Sequence, residues 1–110
     1  MEYTVEQLKQ MVAEGKEAAR KASEAFIAKH GELGYCGFAW TSIYGVKGNT
    51  KLGRALKQAG VQQAWDKSFQ IWNPSELGTQ CMSTKEEGAQ ACADVFRKWG
   101  FTAYMGSRAD

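Results

Sequence analysis

Residues 35–44 alternate two kinds of side chain, and this restricts the fold more than any other feature of the chain. Cys36, Phe38, Trp40, Ser42 and Tyr44 fall on one side of an extended strand, and Tyr35, Gly37, Ala39, Thr41 and Ile43 on the other. The first side is bulky. The second is small around Gly37 and Ala39, so a helix can sit close to it.

A long helix precedes this strand. Thr4-Val-Glu-Gln7 is a capping box, with Tyr3 and Leu8 at the positions of a hydrophobic staple. Val5, Leu8, Val12, Gly15, Ala19, Ala22 and Phe26 then follow helical spacing. A helix from Val5 to about Lys29 is roughly 37 Å long at about 1.5 Å per residue. Its stripe is small in the middle, at Gly15, Ala18, Ala19, Ala22 and Ala25. Two arrangements satisfy such a stripe. The helix lies tightly across a sheet of its own subunit, or Val5, Leu8, Val12, Ala19, Ala22 and Phe26 form a seam between subunits of a homo-oligomer.

Gly31 and Gly34 end the helix. After the strand, Asn49 or Thr50 caps a short helix ended by Gly60, and 68–72 reads as a second strand. Residues 75–82 read as an irregular loop. Ser83-Thr-Lys-Glu86 matches a second capping box, followed by a stripe of Ala89, Cys92, Val95, Phe96 and Trp99. Gly100 ends that helix, 101–105 alternates as a third strand, and Arg108 and Asp110 lie in a tail that is solvated, crosses an interface or folds back on the basic loop. The expectation is one α+β, or small α/β, domain over residues 1–110. It has a long helix over 1–30 and a core over 34–110, with three strands, two further helices and the order αβαβαβ.

Charge is unevenly placed. The formal net charge is only +2, yet residues 45–67 hold Lys47, Lys51, Arg54, Lys57 and Lys67 against Asp66 alone. The loop Gly45-Val-Lys-Gly48-Asn-Thr-Lys51 is not a Walker A sequence, and no Gly-x-Gly-x-x-Gly pattern occurs. What remains is a basic corner beside aromatic residues, either a solvated surface or a phosphate receptor. In the second case Lys47, Lys51 and Arg54 contact phosphate, and Asn49 and Thr50 donate at the helix start. Trp40, Tyr44 or Trp72 stacks on a base. These rings, with Trp65, Phe69 and Tyr104, are many for the chain's size, and they serve either as stacking platforms or as a small core.

Other chemistry finds little footing. His30, Cys36, Cys81 and Cys92 lack the close pairs of a zinc site, so no metal and no cofactor is expected. His30 is the only histidine, and a His30–Cys36 pair has no third group to orient it. Glu and Asp residues are scattered, and the expectation is a protein that is not an enzyme. The odd cysteine count fits reduced thiols, and the opening residues read as an amphipathic helix rather than a secretory leader. No run approaches the ~18 apolar residues of a membrane span, so no membrane partner is expected.

At Cys36-Gly-Phe-Ala-Trp40, Lys47 to Arg54, Lys85-Glu-Glu-Gly, Trp99-Gly-Phe and Ser107-Arg-Ala-Asp110, the chain resembles small proteins encoded by tailed bacteriophages. The resemblance covers residues 34–110 and brings no activity or catalytic residues with it. It implies a viral protein in the cytoplasm of an infected bacterium, where small accessory factors bind a host protein, nucleic acid or a nucleotide. The combined expectation is a non-enzymatic, homo-oligomeric protein that recognises a phosphate-bearing ligand. The alternative is a protein–protein interaction module that binds or inhibits a host protein through its first helix.

Overall fold

The alternating segment forms strand β1 (Gly37–Tyr44), and its two faces meet different surroundings. The computed structural model describes residues 2–32, 34–79 and 81–109. Helix α1 (Val5–His30) precedes β1, with the Thr4–Gln7 capping box formed in both directions. Then come α2 (Lys51–Gln58), β2 (Gln62–Gln63), β3 (Phe69–Trp72), α3 (Met82–Lys98) and β4 (Thr102–Ala109). The fold is α+β, with three helices and a four-stranded antiparallel sheet in the order β2-β3-β1-β4 among the described residues.

From β1 onward the order is β-α-β-β-α-β, with β3 inserted between β1 and β2 and β1 between β3 and β4. This is the split β-α-β arrangement, with α1 added in front. The expected order αβαβαβ with three strands therefore needs correction. The missed strand, β2, is only Gln62 and Gln63, too short and too polar for a period-2 signal. The last strand also runs on to Ala109, so Gly106, Ser107 and Arg108 belong to the sheet. Arg108 pairs with Phe38 at the start of β1, whereas the basic loop follows the other end of that strand, so Arg108 does not fold back on the loop. Asp110 lies outside the described residues.

Ala39, Thr41 and Ile43 are buried beneath the helices. α3 lies on β1 and β4, and α1 packs along α3. Leu8 and Met11 of α1 join Ile43, Phe69, Phe96 and Phe101 in one core. α1 thus packs chiefly along α3 and not across the sheet, with Gly15 and Ala19 of its small stripe buried, Ala18 and Ala22 half-buried and Ala25 exposed. Leu8 and Ala19 have no exposure at all, so those members of the expected intersubunit seam are unavailable to a second copy. Val5, Val12, Ala22 and Phe26 are half-buried along the same helix.

Two glycines set the helix–helix distance. A Cβ on Gly15 would lie 2.8 Å from Cys92 Sγ, and one on Gly88 would lie 2.5 Å from Ser23 Oγ and 3.2 Å from the Ala19 carbonyl. Ser23 Oγ donates to the Thr84 carbonyl at 2.8 Å, which fixes the register.

The start of α3 differs from expectation as well. Its N-cap is Cys81, without a side-chain cap, so Ser83 and Glu86 form no capping box. The Met82 N–H donates to the Tyr35 carbonyl at 2.8 Å, and Cys81 bridges to Cys36. These contacts pull the chain into the sheet layer two residues earlier than the Ser-x-x-Glu pattern suggests.

Gly88→Ala reverses the usual sign of a glycine replacement. At an exposed helix position alanine gains about 1 kcal/mol; here overpacking against Ser23 and Ala19 should destabilise by about 1–3 kcal/mol. Chemical denaturation of the two proteins measures the difference.

Candidate functional site

Because the helices take the small face of β1, the bulky face is left open. Cross-strand register lays out its rows. Tyr44 lies beside Thr102; Ser42 lies between Gln70 and Tyr104, with Gln62 beyond Gln70; Trp40 lies between Trp72 and Gly106; Phe38 lies beside Arg108. Trp72 is 44% exposed and Tyr104 51%, and Phe38 and Tyr44 are also exposed. Ser42 is buried among its larger neighbours.

The rings are ordered relative to one another. Trp40 and Trp72 stack at 4.6 Å between centroids with planes 27° apart, and Phe38 meets Trp72 edge-on at 6.3 Å. Tyr44 and Tyr104 lie 6.2 Å apart. The Trp40 indole folds over Gly106, where a Cβ would lie 2.5 Å from its Nε1. Trp72 Nε1 donates to Gln70 at 2.8 Å, which holds that indole at the surface.

Cations accompany the rings. The Arg97 guanidinium stands 4.6 Å above Tyr104 and donates through Nε to the Ala103 carbonyl at 2.7 Å. Arg108 stands 5.6 Å from the Phe38 ring. Lys85 Nζ reaches that ring at 5.3 Å while donating to the Gly37 carbonyl at 2.8 Å. Each contact fixes a positive charge beside an aromatic face.

The basic loop is arranged differently. The Thr50 hydroxyl accepts from the Gly53 N–H at 3.1 Å and donates to the Lys47 carbonyl at 2.6 Å, so it caps α2. Arg54 donates to the Asn49 carbonyl at 2.7 Å and ties the loop down. Lys51 faces the start of α1, in a shallow depression with Tyr3, Thr4 and Gln7. Lys47 and Asn49 instead line a cleft of about 480 Å³ with Gly48, Lys57, Gln63 and Lys67. Gln63 pairs with Phe69, which pairs with Ile43, so it belongs to the helix-covered face.

The eight candidate ligand residues therefore fall into separate places. Trp40, Tyr44 and Trp72 share the open face, Lys47 and Asn49 share the cleft on the other side of the sheet, and Lys51 lies apart from both. Thr50 and Arg54 hold the loop. Sequence reasoning placed Phe38 on this side of β1 and counted Tyr104 among the stacking rings, but missed Arg97 and Arg108 as the cations against them. The alternation Thr102, Tyr104, Gly106, Arg108 carried the signal for Arg108 once the strand is extended to residue 109.

Groups suited to catalysis are dispersed. His30 packs on Phe26 at 4.6 Å, and Asp94 accepts from Gln90 at 3.0 Å. Among the described residues no three His, Cys, Asp or Glu side chains gather as a metal site, and no helix is long and apolar enough to cross a membrane. Burial pushes the Cys92 thiol up to about 11, against smaller opposing effects of Thr41 and Lys16. No protein-family model, no curated protein and no solved structure matches the chain.

The thiols should differ sharply in reactivity. Iodoacetamide at pH 8 is expected to modify exposed Cys36 in the native protein and Cys92 only after unfolding, as peptide mass mapping would show. Rapid native labelling of Cys92 would contradict its packing against Gly15.

Proposed function

We propose that the protein is a non-enzymatic binding protein for a phosphate-bearing ligand, and that the ligand is single-stranded nucleic acid lying on the open sheet face. The observation that carries this reading is the layout of Phe38, Trp40, Trp72, Tyr44 and Tyr104 on one uncovered face, with Arg97 and Arg108 against the rings. Bases have apolar faces and charged backbones, and this surface offers stacking planes beside cations. Two-residue steps along a strand separate same-face side chains by about 6.6 Å, so rings in different rows contact different bases. Gln62, Gln70 and Thr102 share the face with them as hydrogen-bonding groups.

The resemblance to phage proteins supports a setting in the cytoplasm of an infected bacterium. Binding should tolerate many sequences, because stacking uses the face common to all bases. The rival reading, a host protein held on α1, draws less support because Leu8 and Ala19 are sealed inside the subunit.

Fluorescence anisotropy with oligo-dT and oligo-U tests the proposal. Trp72→Ala and Tyr104→Ala should each weaken binding by roughly 5- to 150-fold, corresponding to about 1–3 kcal/mol per stacked base. Lys51→Ala with Arg54→Ala, away from the face, should leave binding within about twofold. Undetectable binding by the wild type at low salt, or binding unchanged by loss of both rings, would overturn the reading.

A further inference from the structure

The cleft at the β2 edge gathers positive charge with nothing opposite it. Lys47 comes from the loop after β1, Lys57 from the last turn of α2 and Lys67 from the β2–β3 turn, around about 480 Å³. Among the described residues none of these lysines joins an ion pair. Asp66 is the acid nearest in sequence, and it is directed at Ser68. Its Oδ1 accepts from the Ser68 hydroxyl at 2.7 Å and the Ser68 N–H at 3.0 Å, which hold the carboxyl below its ordinary range. Among the described residues no acid lines the cleft.

The walls are tied together before any ligand arrives. A Cβ on Gly48 would lie 2.5 Å from the Gln63 side chain, and Gly53 leaves no room for one against the Lys47 carbonyl. Lys57 Nζ stands 3.4 Å from the Gly48 carbonyl, and Gln63 Nε2 donates to the Lys67 carbonyl at 3.1 Å. Lys67 itself has φ +76°, a left-handed conformation that glycine adopts more easily. Trp65, in the same turn, is 94% exposed.

We propose that this cleft is a diphosphate-binding site, suited to inorganic pyrophosphate or the diphosphate of a nucleotide. Three lysines lining one cavity repel each other, and an oxyanion placed among them converts that repulsion into attraction. A diphosphate matches three lysines better than a single phosphodiester does, and the Gln63 and Asn49 amides supply further donors. The site lies on the opposite side of the sheet from the aromatic face. It stands or falls independently, since pyrophosphate has no ring to stack.

Calorimetric titration with inorganic pyrophosphate at low salt tests it. One pyrophosphate should bind per chain, and Lys57→Ala and Lys67→Gly should each weaken binding about tenfold. Lys51→Ala, outside the cleft, should change it less than twofold. Lys67→Gly should also raise Tm, because glycine relaxes the left-handed position, so its lost affinity would not reflect misfolding. No saturable binding at millimolar pyrophosphate, or equal affinity in Lys57→Ala and wild type, would overturn the site.

A separate observation concerns Cys36 and Cys81, which face each other as an antiparallel bridge. The Met82 N–H to Tyr35 carbonyl bond makes them a pair without hydrogen bonds between themselves, the kind whose Cα atoms approach to about 4.5 Å. That lies within the span of a disulfide. We infer that a disulfide oxidant such as glutathione disulfide joins them. The exposed Cys36 thiolate attacks the oxidant and releases one glutathione thiolate, and Cys81 then attacks the mixed disulfide and releases the second. The two cysteines lose two protons and two electrons, and the oxidant is reduced to two thiols. Peptide mapping after this treatment should show the Cys36–Cys81 cross-link with Cys92 still reduced. A stable Cys36–glutathione adduct without the cross-link would overturn the inference.

Discussion

Thr41, at the centre of β1, donates its hydroxyl to the Ala89 carbonyl of α3 at 2.9 Å in the interior of the protein. That bond is possible only because Gly37, Ala39 and Thr41 leave α3 room to lie against the strand. At Gly37 the fit is tight, since a Cβ there would lie 2.7 Å from both Met82 Sδ and the Arg108 carbonyl. With α3 docked this way, α1 finds its seat through Gly15 and Gly88, and β4 returns along the outer side of β1. Both helices are thereby committed to one side, and nothing among the described residues covers the aromatic side of the strand. The open face follows from the small one.

The sheet then separates two surfaces with different chemistry. On one side aromatic rings lie with arginines set against them. On the helix side, at the short β2 edge, three lysines surround a cleft whose walls are braced by Gly48, Gly53 and Gln63. The first suits flat, apolar groups that carry charge nearby, and the second suits compact oxyanions. A single ligand does not need both, and each surface can be removed by substitution without touching the other.

Much of the fold was legible because local signals agreed with the final packing. Thr4 and Gln7 cap α1 as their spacing predicts, Thr50 caps α2, and Gly100 at φ +97° stands just past α3. The two faces of β1 were also readable, down to the side a helix would take. What failed depended on contacts distant in sequence. β2 exists because β3 offers it a partner, and Cys81 displaces Ser83 as the cap because Tyr35 and Cys36 capture the chain there. The basic loop reads as one cluster along the chain, yet Lys47 and Lys51 point into different depressions because the turn into α2 separates them. Lys57 and Lys67 join Lys47 only once the β2–β3 turn is folded against α2.

The four tryptophans make the central claim directly measurable, since Trp40 and Trp72 lie on the open face, Trp65 at the hairpin tip, and Trp99 on the helix side with its Nε1 3.3 Å from Glu14. Titration of the labelled protein with oligo-dT, followed through the four indole N–H resonances, should shift those of Trp40 and Trp72 progressively and leave that of Trp99 in place. An oligonucleotide that binds while the Trp40 and Trp72 resonances stay still would contradict the claim that the uncovered face of the sheet is the working surface.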